Sequence, residues 1–270
     1  MGLSKINIVF YYLLFCSIVF SSCSTSTDND PLMRFKGEYK KLAEAVEKED
    51  TLAIKKIVKE KGLDVNYQEP KFGETLLMWA VQYDKYASCK VLLGMGADPN
   101  LKSTDNKTSA LMFSAKNYDT SDYLKLLLEH GGNANDSSDF EGVNNLRTPL
   151  IAASSSRLEN AKLLVERGAD VNYISHHHQT ALRSAIDSKY INIARYLMIE
   201  NGADFKRSLG TTIHGDTIHI VNSLRRCVFP LESDDYKIKM EIVDYMLEKG
   251  VNYWEAPVPQ HYYKNYDSAY

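Results

Sequence analysis

The chain has 270 residues, with 32 lysines and arginines against 35 aspartates and glutamates, for a formal net charge of −3. That is an ordinary folded-protein composition, long enough for one sizeable core or for a stack of smaller units. A mildly acidic balance with both signs mixed excludes nucleic acid as the main partner.

Residues 1–22 read as a signal peptide. Met1 to Asn7 carry one charge, Lys5, and Ile8 to Phe20 are apolar apart from Ser17. Such a run is shorter than the ~20 residues a spanning helix needs, and small residues at its end mark a cleavage point. Phe20-Ser21-Ser22-Cys23 resembles a bacterial lipobox, although Phe20 replaces the usual Leu, Val or Ile. The resemblance implies lipid attachment at Cys23. It also implies an exported lipoprotein anchored in the bacterial cell envelope, on the periplasmic or surface side. An uncleaved anchor and an ordinary cleaved signal are the alternatives. Residues 23–36 read as a polar tether, and an extended stretch from Ser24 to Lys36 reaches at most ~45 Å.

Beyond the tether a five-residue word recurs. Its copies are Gly62-Leu63-Asp64-Val65-Asn66, Gly96-Ala97-Asp98-Pro99-Asn100, Gly131-Gly132-Asn133-Ala134-Asn135, Gly168-Ala169-Asp170-Val171-Asn172 and Gly202-Ala203-Asp204-Phe205-Lys206, with a worn copy from Gly250. Successive first glycines are 34, 35, 37, 34 and 48 residues apart. A period near 34 marks a repeat architecture. Each word follows a periodic apolar helix, so its glycine ends the helix and Asp or Asn turns the chain.

The units take up the chain in order. Unit one, 39–66, carries Leu42, Ala43 and Val46 on one helix and Leu52, Ile54, Ile57 and Val58 on the next. Its many outward lysines and glutamates fit the polar face of a terminal unit better than a binding patch. Unit two, 67–100, opens its first helix at Thr75-Leu76-Leu77, with Thr75 as N-cap. Unit three, 101–135, opens at Ser109. Unit four, 136–172, opens at Thr148-Pro149-Leu150, where proline suits a first helical position. Unit five, 173–206, opens at Thr180-Ala181-Leu182. Unit six, 207–252, begins its first helix near Asp216, has an insertion from Cys227 to Tyr236, and resumes at Ile238. An aromatic tail, 253–270, caps the last unit or, less favoured, offers a strand to a partner.

Thr148-Pro149-Leu150 with Ala152-Ala153, the Leu158 helix and Gly168-Ala169-Asp170-Val171-Asn172 resembles the ankyrin repeat. The resemblance covers roughly 39–252. It implies an all-α, ankyrin-repeat solenoid of about six helix-turn-helix units with finger loops. The family's histidine after Thr-Pro-Leu is replaced by Met78, Met112, Ile151 and Arg183, with His219 a candidate in unit six.

That family resemblance also implies a non-catalytic scaffold that binds another protein along finger loops and the exposed side of each first helix. An envelope enzyme or a neutralised toxin would be such a partner. Carried onto this chain, the surface comprises Gln68, Glu69, Lys71, Phe72, Gln82, Tyr83, Lys102, Thr104, Asp105, Lys116, Asn117, Tyr118, Ser175, His176, His177, Asp187 and Ser188. Aromatic anchors dominate interface energy, which ranks Tyr83, Phe72 and Tyr118 first.

Signs of other chemistry are weak. There is no phosphate-binding loop, dinucleotide fingerprint, nucleophile elbow or zincin helix. His176-His177-His178 could hold a metal, but consecutive residues rarely converge on one ion. A solvated fingertip or pH-sensitive contact fits better. No cofactor is expected, and a passive spacer is the remaining alternative. Cys89 and Cys227 fall four units apart, too far for a disulfide, so both are expected to be free, buried thiols.

Overall fold

A computed structural model describes residues 34–117, 119–138, 147–175, 178–210, 217 and 219–256. Cys23, Tyr118, His176 and His177, with the expected signal peptide and most of the tail, lie outside the described residues. Within them the chain is all helical and carries six helix pairs. These are α1 (Glu38–Glu47) with α2 (Thr51–Lys61), α3 (Leu76–Gln82) with α4 (Tyr86–Gly94), and α5 (Ala110–Ala115) with α6 (Asp122–Glu129). There follow α7 (Pro149–Ala153) with α8 (Leu158–Glu166), α9 (Ala181–Asp187) with α10 (Ile191–Arg195), and α11 (Ile220–Arg226) with α12 (Asp234–Glu248). A π-helical turn, Tyr196–Glu200, extends α10.

The first helices α3, α5, α7 and α9 start by one device. Each N-cap, Thr75, Ser109, Thr148 and Thr180, is extended, and its hydroxyl accepts the amide three residues on. An N-cap of this kind satisfies a helix-end donor that would otherwise be left unpaired. In α11 the N-cap is His219, and Asn222 Oδ1 accepts the His219 amide at 2.9 Å. His219 is therefore at the threonine position, and Asn222 is the residue in register with Met78, Met112, Ile151 and Arg183.

Each pair hides small and branched residues against its neighbours. Leu111, Leu124, Leu127, Leu164, Ala185, Ile193 and Leu224 are fully buried in one continuous core that runs the length of the stack. Cys89 and Cys227 are free and buried. Leu52 departs from the expectation for unit one: it is 77% exposed, while Ile54 and Val58 of the same helix are buried. Phe35, inside the expected tether, is buried, and Arg34 pairs with Glu74 at 2.7 Å. The helix α12 begins at Asp234, earlier than Ile238, because Ser233 Oγ caps it by accepting the Tyr236 amide.

The five-residue word does more than stop helices. Its glycines Gly62, Gly96, Gly131, Gly168 and Gly202 have left-handed φ. Its third residue closes a local turn, as where Asp98 Oδ1 accepts the Asn100 amide at 2.8 Å. Its closing asparagine then reaches the next unit. Asn100 Nδ2 donates to Gly131 O at 2.9 Å while its Oδ1 accepts the Asn133 amide at 2.7 Å. Asn66 and Asn135 repeat both bonds, and Asn172 accepts the Asp204 amide. The series is an asparagine ladder that fixes the offset between units. At about 0.5–1.5 kcal/mol net per hydrogen bond, Asn100→Ala is expected to lower the unfolding free energy by roughly 1–2 kcal/mol in denaturant titration. An unchanged midpoint would remove the ladder from the account.

A second set of links joins the turns between helices. Glu49 Oε1 accepts the Ala87 amide, and Asp84 Oδ1 accepts the Tyr123 hydroxyl at 2.8 Å. Burial raises the Tyr123 hydroxyl's pKa, and its bond to Asp84 acts in the same direction. Asn160 Nδ2 donates to Ala115 O and Asn117 O.

The last unit is closed in part by the chain that follows it. Tyr253 is buried. Arg225 donates to the carbonyls of Ala256, Tyr253 and Trp254, and Lys239 Nζ donates to Cys227 O at 2.9 Å. Trp254 in the same segment is left largely exposed. Burial holds the Lys239 ammonium below the usual lysine range, against an opposing pull from Cys227. In the window between that lowered value and the ordinary one near 10.5, the unfolded chain binds more protons than the folded one. Stability therefore rises with pH there. The wild type minus Lys239→Met difference in unfolding free energy is expected to grow with pH up to that value; a flat difference would contradict the burial.

Candidate functional surface

The finger loops are pinned at their bases by buried polar residues. Glu69 is buried, and its carboxylate accepts the amides of Lys71, Phe72 and Glu74. In later units Ser103, Ser138 and Ser175 stand in its place and are also buried. Ser138 Oγ accepts the Arg147 amide, and Ser175 Oγ accepts the Gln179 amide. Gln68 donates to Gly73 O and to Lys102 O, both at 2.7 Å. Glu69 and Ser175 are thus buried in the fingers they shape, contrary to the sequence expectation, while Gln68 is half-buried and bonded to two finger carbonyls.

Several other expected contacts are also committed within the fold. Lys102 pairs with the buried Asp136 at 2.9 Å and donates to Ser137 O, joining neighbouring fingers. Asp136 also accepts the Ser109 hydroxyl. Asn117 Oδ1 accepts the Asp119 and Thr120 amides. Phe72 is half-buried under the Arg34 guanidinium, 4.5 Å from its ring centroid. Thr104 donates its amide to Phe72 O at 2.8 Å, tying finger two to finger three. Beside this contact the Glu74 carboxyl is held above its ordinary value, because burial outweighs the Arg34 charge.

What remains outward is a line along the first helices. Gln82, Lys116, Asp187 and Arg226 stand seven residues after the N-caps of α3, α5, α9 and α11, Lys116 as the C-cap of its shorter helix, and all four are exposed. Tyr83 follows Gln82, 47% exposed, with its ring 4.9 Å from that of Trp79. Asp105 is exposed at a fingertip. Asp187 accepts from Arg183 Nε at 3.3 Å and from Arg226 at 3.2 Å. The sequence expectation named Asp187 and did not name Arg183, Lys189 or Arg226 beside it. The signal was Arg183 itself, a cation at a helical position that is apolar in three other units. No cluster of His, Cys, Asp and Glu fit for a metal occurs among the described residues; His178 is exposed.

A family model described as ankyrin repeats (3 copies) matches residues 42–138, 77–175 and 111–208. The chain belongs to the ankyrin-repeat family. An ankyrin repeat protein of Acanthamoeba polyphaga mimivirus, R664, is 34% identical over 89 residues, covering 27% of this chain and 54% of that protein. Human transient receptor potential cation channel subfamily A member 1 is 29% identical over 116 residues, covering 43% of this chain and 10% of the channel. The chain thus matches about half of the one and a tenth of the other. The crystal structure of EF0377, an ankyrin repeat protein, aligns with a TM-score of 0.58 at 25% identity, covering 75% of this chain and 96% of that one. Ankyrin repeats are protein–protein interaction scaffolds, and no enzyme family is indicated.

Proposed function

We propose that this ankyrin protein binds another protein along the exposed line of its first helices, without catalysis, while a lipidated Cys23 anchors it in a bacterial envelope. The observation that carries the binding surface is the pair Gln82 and Lys116. Both are exposed at equivalent positions, and neither bonds through its side chain to another described residue. Tyr83 beside them supplies an aromatic of the type that anchors interfaces. Glu69, Lys102 and Asn117 nearby are instead bound into fingers and turns.

Affinity capture from envelope extracts is expected to recover one stoichiometric protein with the wild type and much less with Gln82→Ala/Tyr83→Ala/Lys116→Ala. Equal recovery would move the surface elsewhere, and no stoichiometric partner would overturn the scaffold. The anchor is supported by the lipobox-like Phe20-Ser21-Ser22-Cys23 and is tested separately. Cys23→Ala is expected to shift the protein out of the membrane fraction and to lower its mass by the lost lipid; unchanged mass and fractionation would overturn it.

A further inference from the structure

A cavity of about 350 Å³ opens between α9 and α11, lined by Arg183, Ile186, Asp187, Lys189, Arg226 and Cys227 among others. Two of these residues break the pattern of the repeat. At the helical position of Arg183 three other units carry Met78, Met112 and Ile151, and unit six carries Asn222, all buried. Arg183 is only half-buried and turns its guanidinium to Asp187. At the turn position of Lys189 unit two carries Asp84, and both adopt left-handed φ, 62° and 58°. Asp84 serves the fold by accepting the Tyr123 hydroxyl. Lys189 has no carboxylate partner among the described residues and stands exposed at the rim. Burial pushes the Cys227 thiol up, and the charges of Lys239 and Lys189 oppose it.

The cavity therefore gathers three cations around one carboxylate. Asp187 holds Arg183 and Arg226 in place, while Arg183 also donates to His178 O and Arg226 to Ser223 Oγ, so both guanidinium groups are fixed at the mouth of the cavity. Guanidinium forks match carboxylates in geometry. Departures from a repeat's local rules are expected where function requires them.

We infer that the α9–α11 cavity receives an acidic side chain from the partner protein, a glutamate or aspartate in an acidic segment laid along the first helices. This deepens the scaffold reading and rests on it. The probe is fluorescein-labelled hexaglutamate, followed by anisotropy on the full-length protein in detergent at low salt, with hexalysine as the opposite charge. Hexaglutamate is expected to bind saturably and hexalysine not. Arg183→Gln/Lys189→Gln/Arg226→Gln is expected to weaken hexaglutamate about tenfold, the sum of several modest exposed ion pairs. Lys189→Gln alone, which removes no contact of the fold, is expected to weaken it by a smaller measurable factor. Lys90→Gln on α4 serves as a charge control and is expected to leave it unchanged.

Absence of saturable hexaglutamate binding, or equal loss in the Lys90 control, overturns the inference. Binding of phosphatidylglycerol vesicles in place of hexaglutamate, lost in the same variants, would assign the cavity to a lipid headgroup and overturn it as well. Failure here with a partner still captured sinks this inference alone. Hexaglutamate binding with no partner captured sinks the scaffold reading instead.

Discussion

Leu111→Ala is expected to lower the unfolding free energy by about 3 kcal/mol and to make the transition shallower. Leu111 is fully buried on α5, which packs against α3, α6 and α7. Truncation removes transfer free energy and leaves a cavity that rigid neighbours fill only in part. The position matters as much as the volume. A solenoid is held by contacts between adjacent units, so a weak central unit uncouples the two ends. Guanidinium titration followed by circular dichroism reads both effects. Leu52→Ala, at an exposed leucine of α2, is the control and is expected to shift stability by less than about 0.5 kcal/mol. A loss below about 1 kcal/mol for Leu111→Ala with an unchanged slope would contradict a continuous stacked core.

Gly73→Ala is expected to cost roughly 3 kcal/mol, from a left-handed penalty near 1–2 kcal/mol and an overpacking term of similar size. Gly73 has φ 68°, and a Cβ there would lie 2.5 Å from Thr104 Cγ2 and 2.6 Å from Thr104 N. The side chain could turn away, but the backbone of the third finger could not without breaking the Thr104 amide bond to Phe72 O. Gly96→Ala separates the two terms. Its φ is also positive, at 94°, but open space surrounds the added methyl, so about 1–2 kcal/mol is expected there. Equal losses at the two glycines would show that finger-to-finger packing contributes nothing.

The helices and the ruler of recurring words were legible because both are local. Thr75, Ser109, Thr148 and Thr180 announce helix starts by chemistry that involves only the next turn. Unit six was harder, since His219 holds the N-cap place of threonine and shifts the apparent register by three residues. Leu52 misled because apolar identity was read without the direction of its helix face. The fingers were least legible. Glu69 and Ser175 are polar residues in loops, which reads as surface, yet they are buried because each closes its own loop by accepting backbone amides. Whether a polar group serves a loop or a partner is decided by where the loop folds back, and spacing does not carry that. Arg183 illustrates the converse: a departure from the repeat pattern marked a place on the surface that residue type alone did not.

Site-specific photo-crosslinking tests the binding face most directly. Benzoylphenylalanine would be placed at 82 and 116, at and just past the ends of the first helices α3 and α5, and at 90 and 125 on α4 and α6, in the full-length protein. One common crosslinked protein is expected from 82 and 116, with little or none from 90 and 125. Crosslinks of equal strength from 90 and 125, or none from 82 and 116, would contradict it.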